Sequence, residues 1–185
     1  MFNRTNLLII LLAIGSAGLG LALSQMLRPA PVQRAATSAP AGVLAVGDRV
    51  DDMALPDREG GMRRLSEWRG KLVILNFWAS WCGPCREEMP MLDAMRAQYA
   101  DRDVEVIGIA AEEAPAALAF LERNPVSYPI LINSPADMTD LSLRLGNTQN
   151  VLPYTALIDR DGNILATRIG NFSQTALEKW IAPHL

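Results

Sequence analysis

Two cysteines stand three positions apart in Trp81-Cys82-Gly83-Pro84-Cys85, and the chain has no others. A thiolate needs stabilisation to act as a nucleophile near neutral pH. The first turn of a helix supplies it, through free backbone N–H groups and the positive end of the helix dipole. A residue one turn later can close a disulfide with little backbone movement, and Pro84 just inside the helix sacrifices no hydrogen bond. The rival uses of such a pair are weaker. Closing so short a loop constrains the unfolded chain by only about 2 kcal/mol, against about 3 kcal/mol for a loop of roughly 15 residues. A structural zinc site wants four ligands, and the sole histidine, His184, lies beside the carboxyl terminus as a surface residue. Two thiolates would also suit Cu(I), which leaves a copper-delivery protein as an alternative. Met89 and Met91, the nearby soft ligands, read mainly as core or helix residues. Redox exchange is the favoured chemistry.

The elements around the pair fit that role. Leu72 to Trp78 is a near-continuous apolar run, the pattern of a strand covered on both faces. A helix is predicted from Cys82 to about Tyr99. A second buried strand spans 104–110, a helix 114–123, a short strand 130–132 and another helix 137–145. Two strands, 154–159 and 163–169, are joined at Asp161-Gly162, a hairpin signal. Ser173 is a candidate cap for a last helix reaching about Ala182. Residues 49–65 are short and turn-rich, suggesting a small hairpin. Strands alternating with helices and ending in a hairpin predict an α/β fold with a mixed central sheet flanked by helices.

Helical geometry separates two neighbouring acids. With Cys82 at zero and about 100° per residue, Cys85, Met89, Leu92, Met95 and Tyr99 fall at roughly 300°, 340°, 280°, 220° and 260°. On the same wheel Glu88 lands at roughly 240°, inside this apolar stripe, and Glu87 at roughly 140°, outside it. Glu88 is therefore the carboxylate expected to be partly buried beside Cys85. Desolvation would raise its pKa and make it a candidate proton acceptor for the second thiol. Pro90 could kink the helix and disturb these angles.

The segment from Asn76 to Pro90, with Leu152-Pro153-Tyr154-Thr155 and the Asp159–Gly162 hairpin, resembles the thioredoxin-like TlpA/ResA/DsbE group. That resemblance runs from Val46 to the carboxyl terminus. It implies a thioredoxin fold with an N-terminal hairpin and a central insertion. Cys82 would be the exposed nucleophile, Cys85 the buried resolving thiol, and Pro153 a cis-proline facing the disulfide. A cis bond there would leave the backbone of Leu152 free to pair with an extended substrate. Trp81, Gly83 and Pro84, around the nucleophile, would complete the docking surface. The group typically has a glutamate where Glu88 stands. Thioredoxin itself carries a buried aspartate six residues before the first cysteine, where this chain has Asn76, so Glu88 would be the only acid left for that role.

The activity so implied is thiol–disulfide exchange that reduces disulfides of oxidised exported client proteins, the dithiol being regenerated by a membrane thiol reductase. Relatives serve cytochrome c or copper-centre maturation. A protein-disulfide oxidant is the alternative within the class. No cofactor beyond the Cys82–Cys85 disulfide and no metal is expected. A peroxide-reducing site would need a cysteine in a Thr/Ser- and Arg-lined pocket, which the sequence does not offer.

The amino terminus places the domain. Leu7 to Leu27 is 21 residues without a formal charge, flanked by Arg4 and Arg28. Such a helix rises about 30 Å, enough to cross a bilayer. Its length favours an uncleaved signal-anchor within residues 1–27 over a cleaved signal, with cleavage near Ala22 or Ser24 as the alternative. Residues 28–45 are rich in proline and alanine and read as a flexible linker, leaving 46–185 as the thioredoxin-like domain. Redox chemistry favours an exported location, a periplasmic domain held at the inner membrane. The first 45 residues carry three arginines and no acids, and the remainder 14 basic and 20 acidic residues, a net of −6. Nothing basic with interleaved aromatics suggests nucleic acid.

Overall fold

The computed structural model describes residues 42–134 and 141–185. Within them, β1 (Ala54–Pro56) and β2 (Met62–Arg64) form the predicted small antiparallel hairpin. The central sheet is built from β3 (Leu72–Trp78), β4 (Val104–Ala111), β5 (Ile130–Asn133), β6 (Tyr154–Ile158) and β7 (Ile164–Ile169), in the order β5-β4-β3-β6-β7. Strand β4 runs parallel to β3 and to β5, whereas β6 runs antiparallel to both β3 and β7. The helices are α1 (Gly83–Gln98), α2 (Ala114–Arg123) and α3 (Gln174–Ile181), and residues 141–144 are also helical.

Two cores explain the apolar run of β3, which only Asn76 interrupts. Leu72, Ile74 and Trp78 pack with Cys85, Met89, Leu92 and Met95 of α1 and with Leu177 and Ile181 of α3. Val73, Leu75 and Phe77 turn to the opposite face, against Val50, Trp68, Leu141 and Leu145. Alternation along a strand sends successive side chains to opposite faces, so both sets must be apolar. Each fully buried leucine or isoleucine is worth about 1.5–3 kcal/mol relative to exposure.

Tight packing also fixes a glycine in the centre of the sheet. A Cβ on Gly108 of β4 would meet Ile130 Cδ1 at 2.7 Å and Trp78 Nε1 at 3.1 Å. The predicted turn between β6 and β7 holds as well. Gly162 has φ +92°, and the Asp159 carboxylate accepts from the backbone N–H groups of Asp161 and Asn163. Ser173 caps α3, its Oγ accepting from Ala176 N–H.

Pro90 does not displace the α1 stripe. The helix continues from Gly83 to Gln98, with Cys85, Glu88, Met89, Leu92 and Met95 buried. Pro90 and Arg86 are both exposed, so the carbonyl that loses its helical partner faces water. Leu44 also packs against the second core, and its N–H donates to Arg144 O. The predicted anchor, most of the linker and the first half of the predicted helix 137–145 lie outside the described residues. Among the described residues no helix is long and apolar enough to cross a membrane.

Candidate active site

Strand β3 delivers the chain to a tight turn, Ala79 to Cys82, closed by Cys82 N–H donating to Ala79 O at 3.1 Å. Cys82 is the N-cap of α1 with extended backbone, and its sulfur accepts from Cys85 N–H at 3.3 Å. That bond aims an unpaired donor of the first helical turn at the atom where thiolate charge would reside. The two cysteines are joined as a disulfide, with Cα atoms 5.3 Å apart.

Exposure departs from the expectation for the nucleophile. Cys82 is only 6 % exposed, so it is not the openly exposed residue that the resemblance implied, although Cys85 at 0 % lies deeper. The two sulfurs are bonded, Cys85 belongs to the apolar stripe of α1, and Cys82 packs in the same core. What stands out in solvent is the neighbour Trp81, 69 % exposed. Pro84 is exposed beside it and Gly83 half-buried.

Glu88 is more completely buried than the helical wheel predicts, at 2 % exposure, while Glu87 is exposed as expected. Its carboxylate holds two donors. Asn76 Nδ2 donates to Oε1 at 2.8 Å, and the backbone N–H of Phe172, between β7 and α3, donates to Oε2 at 3.0 Å. Burial pushes the Glu88 pKa up. The Asn76 amide, the Phe172 N–H and the charge of Arg168 pull it back part of the way. As position i+3 from Cys85 on one helix, Glu88 is its direct neighbour on the buried face.

Leu152 and Pro153 arrive from the other side of the sheet. The antiparallel register pairs Tyr154 with Phe77, which puts the preceding Leu152-Pro153 at the same end of the sheet as the cysteine turn. The Leu152–Pro153 bond is cis, Pro153 is buried, and Leu152 packs against the core that contains Cys82 and Cys85.

The family model for the AhpC/TSA family matches residues 46–167. The chain belongs to the AhpC/TSA family. Within it, the chain is 36 % identical over 139 residues to thiol-disulfide oxidoreductase ResA of Geobacillus kaustophilus, covering 74 % of this chain and 76 % of that one. Two solved structures are similar. One, from Chlorobium tepidum, is assigned as thiol:disulfide interchange protein DsbE, with TM-score 0.67 and 32 % identity over 76 % of this chain and 98 % of that one. The other, from Bacteroides thetaiotaomicron, is assigned as a protein disulfide isomerase, with TM-score 0.64 and 33 % identity over 77 % and 91 % of the two chains. This AhpC/TSA member has the thioredoxin-like fold and is a thiol–disulfide oxidoreductase.

Two further polar side chains shape the AhpC/TSA site and were not anticipated from the sequence. Glu112, directly after β4 and 6 % exposed, accepts from both the N–H and the hydroxyl of Ser80, at 2.5 and 2.7 Å. It grips the turn that presents Trp81. A charged residue at the carboxyl end of an apolar strand, where α/β proteins place their sites, was the available signal. Asn147, also buried, clamps both backbone groups of Val151: its Nδ2 donates to Val151 O at 3.1 Å and its Oδ1 accepts from Val151 N–H at 3.2 Å. That clamp holds the irregular segment leading to Leu152. No sequence pattern pointed to it.

Proposed function

We propose that this protein reduces disulfides of exported client proteins by dithiol exchange. The observation that carries this reading is the disulfide at the head of α1: Cys82 is the N-cap and slightly the more accessible residue, and Cys85 is fully buried on the same helix face as the buried Glu88. In the reduced form the Cys82 thiolate attacks a client sulfur; a new S–S bond forms and the other client sulfur leaves as a thiolate. Cys85 then gives its proton to Glu88 and attacks Cys82. The Cys82–client bond breaks, and the second client sulfur leaves. Two electrons have passed to the client and the Cys82–Cys85 disulfide remains, to be reduced again by a membrane thiol reductase.

Trp81, Gly83, Pro84, Leu152 and Pro153 form the docking surface for the client backbone in this reading. The apolar run 7–27 anchors the domain and residues 28–45 tether it, with the domain outside the cytoplasm, in the periplasm of a two-membrane cell. The client class is that of proteins whose cysteines must be free before a group is attached, as in cytochrome c or copper-centre maturation. The Cu(I)-delivery alternative gains no support from Met89 or Met91: the first is buried in the α1 core and the second packs against it.

A Cys85→Ser variant tests the assignment. It is expected to accumulate mixed disulfides with clients through Cys82, and capture of those proteins identifies the client class. Cys82→Ser is expected to form none. Reductase activity in Cys82→Ser would overturn the choice of nucleophile. A reduction potential of about −270 mV supports a reductant and one of about −120 mV a protein oxidant.

A further inference from the structure

Asn76 is the one polar residue in the row that β3 presents to α1, between Ile74 and Trp78, and it is fully buried. The register sets it opposite Thr155 of β6. Both amide hydrogens are used. One goes to Glu88 Oε1 at 2.8 Å, the other to Thr155 Oγ1 at 3.1 Å. The amide oxygen, Oδ1, is buried with no partner.

That orientation selects a protonation state. A carboxylate is acceptor-only, whereas a carboxylic acid must place one O–H on an acceptor. Asn76 turns donors toward Glu88 and its acceptor away, and Phe172 N–H is a second donor on Oε2. Leaving a buried oxygen unpaired is unfavourable, so the amide must gain elsewhere. It gains at Glu88 and Thr155.

We infer that Asn76, turned by Thr155, is a positioning residue for the resolving step, fixing Oε1 of Glu88 as a proton acceptor one helical turn from Cys85. The inference rests on Glu88 being the base proposed above. In the step itself the Cys85 thiol proton moves to Glu88, the Cys85 sulfur bonds to that of Cys82, and the client sulfur leaves with the electrons of the broken bond. The other groups facing Glu88 are Cys85 on its own helix, Phe172 N–H, Tyr128 just before β5, and Arg168 of β7, whose guanidinium lies 4.4 Å from the Phe172 ring centroid.

The test uses the full chain, reduced, with insulin as the disulfide substrate, its reduction rate followed from about pH 5 to about pH 9. Wild type is expected to show an acid limb that reports the base. Asn76→Asp is nearly isosteric but sets two carboxyls in contact that cannot both ionise, so the limb should move to higher pH by about one unit or more, with the rate recovered at alkaline pH. Thr155→Val, which frees the amide to turn, should move it in the same direction by less. A purely structural role would lower stability and leave the limb in place. A limb unmoved in folded Asn76→Asp overturns the inference; if that variant does not fold, an unmoved limb in Thr155→Val does so. Glu88→Gln separates the two levels. Should it keep the wild-type limb, the base itself is misassigned; should the limb vanish there yet stay put in the Asn76 and Thr155 variants, only the role of Asn76 fails.

Discussion

The backbone N–H of Cys85 donates to the sulfur of Cys82 at 3.3 Å. In the proposed exchange, the residue that carries the resolving thiol thus also carries the donor that faces the nucleophile. In the disulfide the Cys82 sulfur already faces a backbone dipole of the first helical turn, the kind of preorganised donor that lowers the free energy of a charged state.

The depth order of the sulfurs predicts their reactivity. In the reduced protein, iodoacetamide should modify Cys82 at least about tenfold faster than Cys85, because thiolate character and access both favour it. Peptide mass spectrometry after short exposure reads this directly. Equal labelling of the two positions contradicts the order.

Trp81 lies in solvent with little to lose. Trp81→Ala should change unfolding free energy by no more than about 0.5 kcal/mol, the usual range for surface positions. Reduction of protein disulfides should nevertheless slow several-fold, while a small disulfide reagent is reduced at the wild-type rate. A loss equal for both substrates would remove Trp81 from the docking surface.

Glu112 should matter for stability through Ser80. Glu112→Ala strips the acceptor from two donors of the cysteine turn, at a cost of about 1–3 kcal/mol. Urea denaturation measures it. An unchanged midpoint would show that the turn holds itself.

Burial raises the Glu88 pKa above its value in the unfolded chain. The folded state then binds the proton more tightly, so this group favours folding most at low pH. Its contribution is lost as pH rises from the unfolded value through the folded one. Glu88→Gln removes that dependence. The stability of wild type relative to Glu88→Gln should therefore fall with rising pH across this window, in urea titrations at a series of pH values. A difference that grows with pH would reverse the sign of the shift.

Much of this was legible in local pattern. The six apolar residues of β3, the Asp161-Gly162 turn and the Ser173 cap are short-range signals, and each forms the element it predicts. A 100° step per residue was enough to bury Glu88 and expose Glu87, because Pro90 falls on the solvent side and leaves the stripe intact. The partners of Glu88 were not legible. Asn76 precedes it by 12 positions and Phe172 follows by 84, brought together only by sheet order and by the docking of α3. Ser80 and Glu112 meet across 32 positions for the same reason, since parallel strands β3 and β4 end side by side. The exposed Cys82 that the resemblance implies is buried to 6 % exposure in the disulfide, packed in the same core as Cys85.

Titration of the Cys82 thiol in the reduced, full-length protein probes the site most directly, by the pH dependence of its alkylation or of thiolate absorbance. The donor from Cys85 and the head of α1 predict a midpoint well below about 8.5, the value of an unperturbed thiol. A midpoint at or above that value would mean that the helix does not activate this sulfur, and would contradict its role as the nucleophile.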